Sequence, residues 1–262
     1  MTEPTVLVSR DSHGVATVTL NRPALHNAFD DALIQRLIET FEALGADAGC
    51  RAVVLAGAGK SFSAGGDLNW MRRMAGYGYA ENVADAGELG RLMSTLDRLP
   101  KPTVARVHGS VFAGGLGLVA CCDIAVAEQH TVFCVSETRL GLVPAVISPY
   151  LIRAMGARIA RRYFLTAERF SAAEAHRIGL VHEIAPAAQL DATVEAIVAA
   201  LLEGGSHAQA RSKRLISEVA DRPIEQPVID LTARAIAEAR ASDEAREGLA
   251  AFFEKRKPKW RT

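Results

Sequence analysis

Between Val107 and Asp123 the chain reads VHGSVFAGGLGLVACCD, with bare or nearly bare backbone from Ala113 to Gly117, just where an apolar run begins. An earlier stretch, GAGKSFSAGGDL from Gly57 to Leu68, repeats the arrangement: a short buried strand, then small residues, then a helix start at Asp67. The first turn of a helix carries unpaired N–H groups and the positive end of the helix dipole. With no bulky side chain in the way, two such junctions can aim backbone N–H groups at one point. Paired donors there would hold an oxygen that gains negative charge during a reaction. The same glycines also suit a plainer purpose, the close packing of helix against strand.

Other chemistries find less support. The GKS triplet at Gly59–Ser61 would need a glycine at position 54 to make a phosphate loop, and Val54 is there. No G-x-G-x-x-G opens a nucleotide fold, and no G-x-S-x-G offers a serine nucleophile. Cys50, Cys121, Cys122 and Cys134 have no C-x-x-C spacing and are expected as buried free thiols. The seven histidines show no ligand spacing, so no metal is expected.

The elements that must position these junctions are legible in outline. TVLVSR and GVATVTL read as strands joined by a DSHG turn, Asp30–Leu44 as a helix and Ala52–Gly57 as a buried strand. A helix over 86–99 leads into the strand TVARVHG, and DIAVAEQ and VFCVSE are again strand-like. Beyond about Pro186 come four helical patterns. The expectation is an α/β core, residues 1–199, with a helical C-terminal region, residues 200–262. Thirty Lys plus Arg balance thirty Asp plus Glu, so no excess positive field points to nucleic acid or an anionic membrane as partner. No run of membrane-spanning length and no leader pattern is present, which makes a cytoplasmic location the expectation.

Four segments together, LNRPALHNAF, SFSAGGDL, HGSVFAGGLGLVACCDIAVA and EGLAAFFEKRKPKW, resemble the crotonase (enoyl-CoA hydratase/isomerase) superfamily, in the family's order and from about Val6 to Trp260. The resemblance implies a spiral of ββα units with a helical C-terminal trimerisation region, assembled as a homotrimer or a homohexamer (a dimer of trimers). It implies an acyl-CoA substrate and no separate cofactor, coenzyme A being part of the thioester. Ala64 and Gly114 would supply the two N–H groups that hold the thioester oxygen as it takes on enolate charge. Ala24 and His26 would line the CoA groove through backbone, while Asp67 and Leu68 would lie beside adenine and pantetheine. Phe252 and Lys255 match the C-terminal segment that reaches CoA, often from a neighbouring subunit. Asp67 fits equally well as a helix N-cap, and Phe252 and Lys255 as part of an amphipathic helix with a solvated basic end.

Hydratases of this family usually carry two glutamates. Here the first of those positions is Gly117; the second is Glu137, in FCVSETRLGLVPA. The next loop also departs from the pattern, with Ala145–Ser148 in place of a glycine-rich segment. One carboxylate suffices for a proton shift between Cα and Cγ, which is enoyl-CoA isomerisation. It also suffices for hydration if it takes the proton of water and hands it to Cα. The segments GLVACCDIAVA, SETRLGLVPAVISPYLIRAMG and ARRYFLTAERFSAAEA look most like hydratases of methylglutaconyl-CoA and related branched, distally carboxylated thioesters. That resemblance favours hydration. By composition alone Arg72, Arg73 and Arg139 could meet a distal carboxylate. A non-catalytic acyl-CoA-binding scaffold is the alternative from another class.

Overall fold

A computed structural model describes residues 3–261. β1 (Val6–Arg10) and β2 (Val15–Leu20) form an antiparallel hairpin whose turn is tied by the Asp11 carboxylate, which accepts from the amides of His13 and Val15, both at 2.9 Å. α1 (Asp31–Ala46) begins where the Asp30 side chain accepts from the Leu33 amide at 2.8 Å, and buries Leu33, Ile34, Leu37, Ile38, Phe41 and Leu44 along one face. β3 (Ala52–Gly57) pairs parallel to β2 and is apolar and buried almost throughout, as a strand covered on both faces should be.

From there the chain winds, making one strand in each of two sheets before each helical return. β3 is followed by β4 (Ser63–Ala64), α2 (Leu68–Met74) and α3 (Tyr79–Asp97); β5 (Thr103–Val107) by β6 (Ser110–Phe112) and α4 (Gly114–Cys121). β7 (Ile124–Glu128) is followed by β8 (Val132–Cys134) and α5 (Ser148–Thr166), then β9 (Phe170–Ser171), α6 (Ala172–Arg177) and β10 (Glu183–Ala185). The larger sheet has the order β1-β2-β3-β5-β7-β10 and the smaller β4-β6-β8-β9. This is the α/β spiral of ββα units that the family resemblance implies.

The four C-terminal helices are α7 (Leu190–Leu202), α8 (Ser206–Val219), α9 (Gln226–Ala241) and α10 (Asp243–Phe253). The division expected at 199/200 falls inside α7, whose Leu190, Val194 and Val198 pack with Val54, Val104 and Val126 of the larger sheet. The chain leaves the sheet after Leu202, and polar contacts tie its remaining length back to the core. The Arg51 guanidinium donates to the carbonyls of Leu202 (3.2 Å), Gly204 (2.8 Å) and Trp260 (3.0 Å). Lys213 reaches Asp123 at 2.8 Å. Glu244 of α10 accepts from the His207 and Ala208 amides at 3.1 and 2.8 Å, meeting the unpaired donors at the start of α8.

Two expectations are adjusted. The helix expected from about residue 86 starts at Tyr79, because its first turns are exposed and carry no apolar stripe for periodicity to detect. Of the smaller sheet only β8 was read, within VFCVSE; β4, β6 and β9 escaped because strands of two or three residues have no period to read. All four cysteines are free and buried. Among the described residues no helix is long and apolar enough to cross a membrane, and no cluster of metal-ligating side chains occurs.

Candidate active site

Three parallel strands of the smaller sheet end side by side. Ala64 pairs with Phe112, and Phe112 with Cys134, so β4, β6 and β8 stop at one level. Two residues beyond Ala64 is Gly66, two beyond Phe112 is Gly114, and three beyond Cys134 is Glu137. Neighbouring strands lie about 4.8 Å apart, so the register alone brings these three residues to one edge.

The candidate donors differ in where each N–H points. Ala64, expected as a donor, gives its N–H to the His26 carbonyl at 3.0 Å. It is therefore spent inside the fold, and that expectation is corrected. Gly66 forms a parallel bridge with Phe29 in which Phe29 N–H donates to Gly65 O at 2.8 Å and Asp67 N–H donates to Phe29 O at 2.7 Å. Such a bridge uses the residues flanking Gly66 and turns its own N–H to the other side. Among the described residues no backbone carbonyl accepts from Gly66 or from Gly114. The amides of Gly66 and Gly114 are thus without a backbone partner at this edge.

Gly114 opens α4 after an unusual elbow. Ala113 sits at φ 48°, ψ −119°, held by its N–H bond to the Cys134 carbonyl at 3.0 Å. A non-glycine residue there costs on the order of 1–3 kcal/mol. A Cβ on Gly114 would lie 2.7 Å from Cε2 of Phe29, and one on Gly115 would lie 2.6 Å from the Ser63 carbonyl, so close approach requires both glycines. The 26–29 segment thus touches both donor loops. It is braced by Asn27, fully buried, whose amide donates to the carbonyls of Ala58, Ser61 and Phe62 at 2.8–3.1 Å and whose Oδ1 accepts from Arg22 N–H at 2.8 Å. Sequence reasoning passed over Asn27. The only sign was its place between His26 and the apolar Ala28–Phe29.

Glu137 begins a short 3-10 turn after β8. Its Oε2 is buried with no hydrogen-bond partner. Burial pushes its carboxyl above the ordinary carboxylate range, partly offset by the amides of Glu137 and Ser136. A proton acceptor with a free lone pair is what general acid–base chemistry needs. Gly117, one turn into α4, offers no room for a second acid: a Cβ there would lie 2.4 Å from Ile147 Cγ2 and 3.0 Å from both Sδ and Cε of Met93. Apolar side chains fill that volume, and Met74, Leu89 and Val146 are partly buried against the same extended core.

The remaining expected residues divide. Ala24 and His26 lie exposed on the 22–26 turn, with the His26 ring 3.0 Å from Ser61 Oγ. Leu68 is exposed at the start of α2. The Asp67 carboxylate caps α2, accepting from Asn69 (2.8 Å) and Trp70 (3.3 Å), and pairs with Arg22 at 2.8 Å. Burial works to raise its pKa, but these partners prevail and hold it below the usual range. Its side chain is thus a helix cap. Phe252 and Lys255 are exposed, and the tail they belong to is tied through Trp260 to Arg51, at the beginning of β3. The donor loops leave the opposite end of that strand, so this chain's own Phe252 and Lys255 are not brought to its own donors. Arg72 donates to Asn69 Oδ1 and Arg73 pairs with Asp31, both on the exterior of α2.

The family model for enoyl-CoA hydratase/isomerase matches residues 10–262. A crotonyl-CoA hydratase of Syntrophomonas wolfei is 30% identical over 246 residues, 93% of either chain. The crystal structure of an enoyl-CoA hydratase from Shewanella pealeana superposes with a TM-score of 0.95 at 47% identity, covering 98% of this chain and 96% of that one. An enoyl-CoA hydratase structure from Mycobacterium smegmatis gives 0.93 at 37% identity, covering 99% and 100%. Spiral, sequence and relatives coincide: the chain belongs to the enoyl-CoA hydratase/isomerase family of enzymes and has the crotonase fold.

Proposed function

We propose that the enzyme adds water across the double bond of an enoyl-CoA thioester, with Gly66 and Gly114 as the oxyanion donors and Glu137 as the single acid–base group. The observation that carries this reading is the common register of β4, β6 and β8, which sets two amides without a backbone partner and a carboxyl whose Oε2 has no hydrogen-bond partner at one edge. Water attacks Cβ as Glu137 takes its proton. The electron pair of the double bond moves onto the thioester oxygen, held by the two amides, and Glu137 returns the proton to Cα. Fixed donors act where charge develops, and each typically contributes about 10²- to 10³-fold in kcat.

Ala24 and His26 on their exposed turn and Leu68 at the exposed start of α2 flank the Gly66 loop, which suits backbone contact with coenzyme A. Phe252 and Lys255 would act on a second copy, in a homotrimer or homohexamer. Exposed Ile216, Ile229, Ile236 and Leu249 on α8–α10 suit such assembly. For the acyl group we propose a branched, carboxylated chain such as 3-methylglutaconyl. Arg72 and Arg73 are engaged on the outside of α2. Arg139, two residues beyond Glu137, has no ion-pair partner among the described residues and is the cation left to meet the distal carboxylate.

A second reading is isomerisation of a 3-enoyl-CoA by the same Glu137. It is favoured by the apolar seal over Gly117, which leaves no second polar side chain to hold water. Incubation with 3-methylglutaconyl-CoA, crotonyl-CoA and a 3-enoyl-CoA separates the two: gain of one water supports hydration, whereas double-bond migration at constant mass supports isomerisation. Coenzyme A binding without turnover of any of them would point to an acyl-CoA-binding scaffold.

A further inference from the structure

The first turns of α3, from Tyr79 to Glu88, are exposed with one exception. Asp85 is half-buried, and its Oδ1 accepts the indole N–H of Trp70 at 3.0 Å. Trp70 is buried one turn into α2, and its Cε3 lies 3.5 Å from where a Cβ on Gly66 would be. The indole therefore spans from the donor-bearing segment to α3. Among the described residues no other side-chain hydrogen bond or ion pair ties residues 79–88 to an element beyond their own helix and its lead-in.

Asp85, Leu89 and Met93 recur every four residues and share one face of α3. Met93 closes over Gly117, one turn from Gly114. This row thus runs from the Gly66 side of the site to the α4 side over about 12 Å of helix. Leu89 stands at its middle, partly buried against the core.

We propose that Trp70 is a positioning and specificity residue. Clasped by Asp85, its indole holds the exposed start of α3 at a fixed distance from the Gly66 amide. That distance sets the width of the channel in which Leu89 meets the acyl chain beyond Cα. The inference rests on the enoyl-CoA reading above. A helix start with few buried contacts opens readily, so an unclasped wall would lose its discrimination between a narrow linear chain and a chain branched at Cβ.

Three variants test the clasp: Trp70→Phe keeps a ring but loses the donor, Asp85→Ala loses the acceptor, and Asp85→Asn keeps an oxygen acceptor. The readout is the ratio of kcat/KM for crotonyl-CoA and 3-methylglutaconyl-CoA, with butyryl-CoA affinity and thermal midpoint recorded as controls on folding. Expected is a change in the ratio of about fivefold or more in Trp70→Phe and Asp85→Ala, carried mainly by KM, with Asp85→Asn restoring the original ratio. An unmoved ratio in the first two, or Asp85→Asn matching Asp85→Ala, overturns the proposal. A separate measurement leaves the clasp intact. In Trp260→Phe protein Trp70 is the remaining tryptophan, and its emission should change when butyryl-CoA binds; constant emission at saturation overturns it too. If the unaltered enzyme hydrates neither thioester, the functional reading fails; if it hydrates them and the ratio stays fixed, the clasp alone fails.

Discussion

The Ala64 amide donates to the His26 carbonyl at 3.0 Å, and that bond decides which residue of the SAGG stretch faces the site. It locks β4 to the 26–29 segment, and the bridge of Phe29 with Gly66 that follows turns the Gly66 amide away from that segment, free of a backbone partner. With Gly66 and Gly114 as the proposed donor pair, the two glycines should respond very differently to a methyl group.

Gly114→Ala places a Cβ 2.7 Å from the Phe29 ring, so either the ring or the donor must move. The expected loss in kcat is about 10²-fold, with butyryl-CoA still bound. Gly66→Ala keeps its N–H, and its new Cβ meets the flexible Met71 at 3.3–3.4 Å, so turnover should stay within several-fold of the unaltered enzyme. Steady-state kinetics on crotonyl-CoA compares them, and the reverse ranking would remove Gly66 and Gly114 from their roles.

The strands of the larger sheet other than β10, the first helix and the four closing helices were legible because each is long enough to show a period or is bounded by turn residues; β10 has three residues and was not read. Glu137 was legible through its segment. The choice between Ala64 and Gly66 was not, because it depends on a bridge to Phe29, distant in sequence and carried by backbone alone. Equally hidden was the filling over Gly117, which Met93 and Ile147 bring from two other elements. Asn27 and Asp85 each act through one tertiary contact set, and no local pattern announces such contacts.

Glu137 should show the conflict between stability and function. Its folded pKa is raised by burial, so the fold prefers the neutral form. That preference stabilises the protein fully below the ordinary carboxylate range and is lost as pH rises through the folded value. Glu137→Gln should therefore melt at a higher temperature than the unaltered enzyme at pH 7, and the difference should vanish near pH 3. The same substitution should lower kcat by about 10²- to 10⁴-fold. In the unaltered enzyme the acid limb of kcat/KM should fall at a pH above the usual glutamate value. Thermal melts and a pH–rate profile measure both; unchanged turnover in Glu137→Gln would displace it as the base.

Arg139 should separate substrates rather than chemistry. Arg139→Gln removes a cation two residues from Glu137 without touching the carboxylate or either amide. On crotonyl-CoA, which has no distal charge, rates should stay within about twofold, whereas kcat/KM for 3-methylglutaconyl-CoA should fall by about tenfold or more, as for a lost charge-assisted hydrogen bond. Equal effects on the two substrates would place the distal carboxylate elsewhere.

The seal over Gly117 predicts a coupling between neighbours. Gly117→Ala pushes a methyl against Ile147 Cγ2 at 2.4 Å, and Ile147 is β-branched and buried, so it yields poorly. Overpacking of this kind costs about 1–3 kcal/mol. Ile147→Ala alone leaves a cavity and costs about 2–5 kcal/mol. In the double variant the new methyl enters the space that Ile147 vacates, so the summed loss should be undershot by about 0.5–3 kcal/mol. Urea denaturation of the four proteins closes the cycle. Additive losses would mean that Ile147 does not occupy the space beside Gly117, and the exclusion of a second carboxylate there would need another cause.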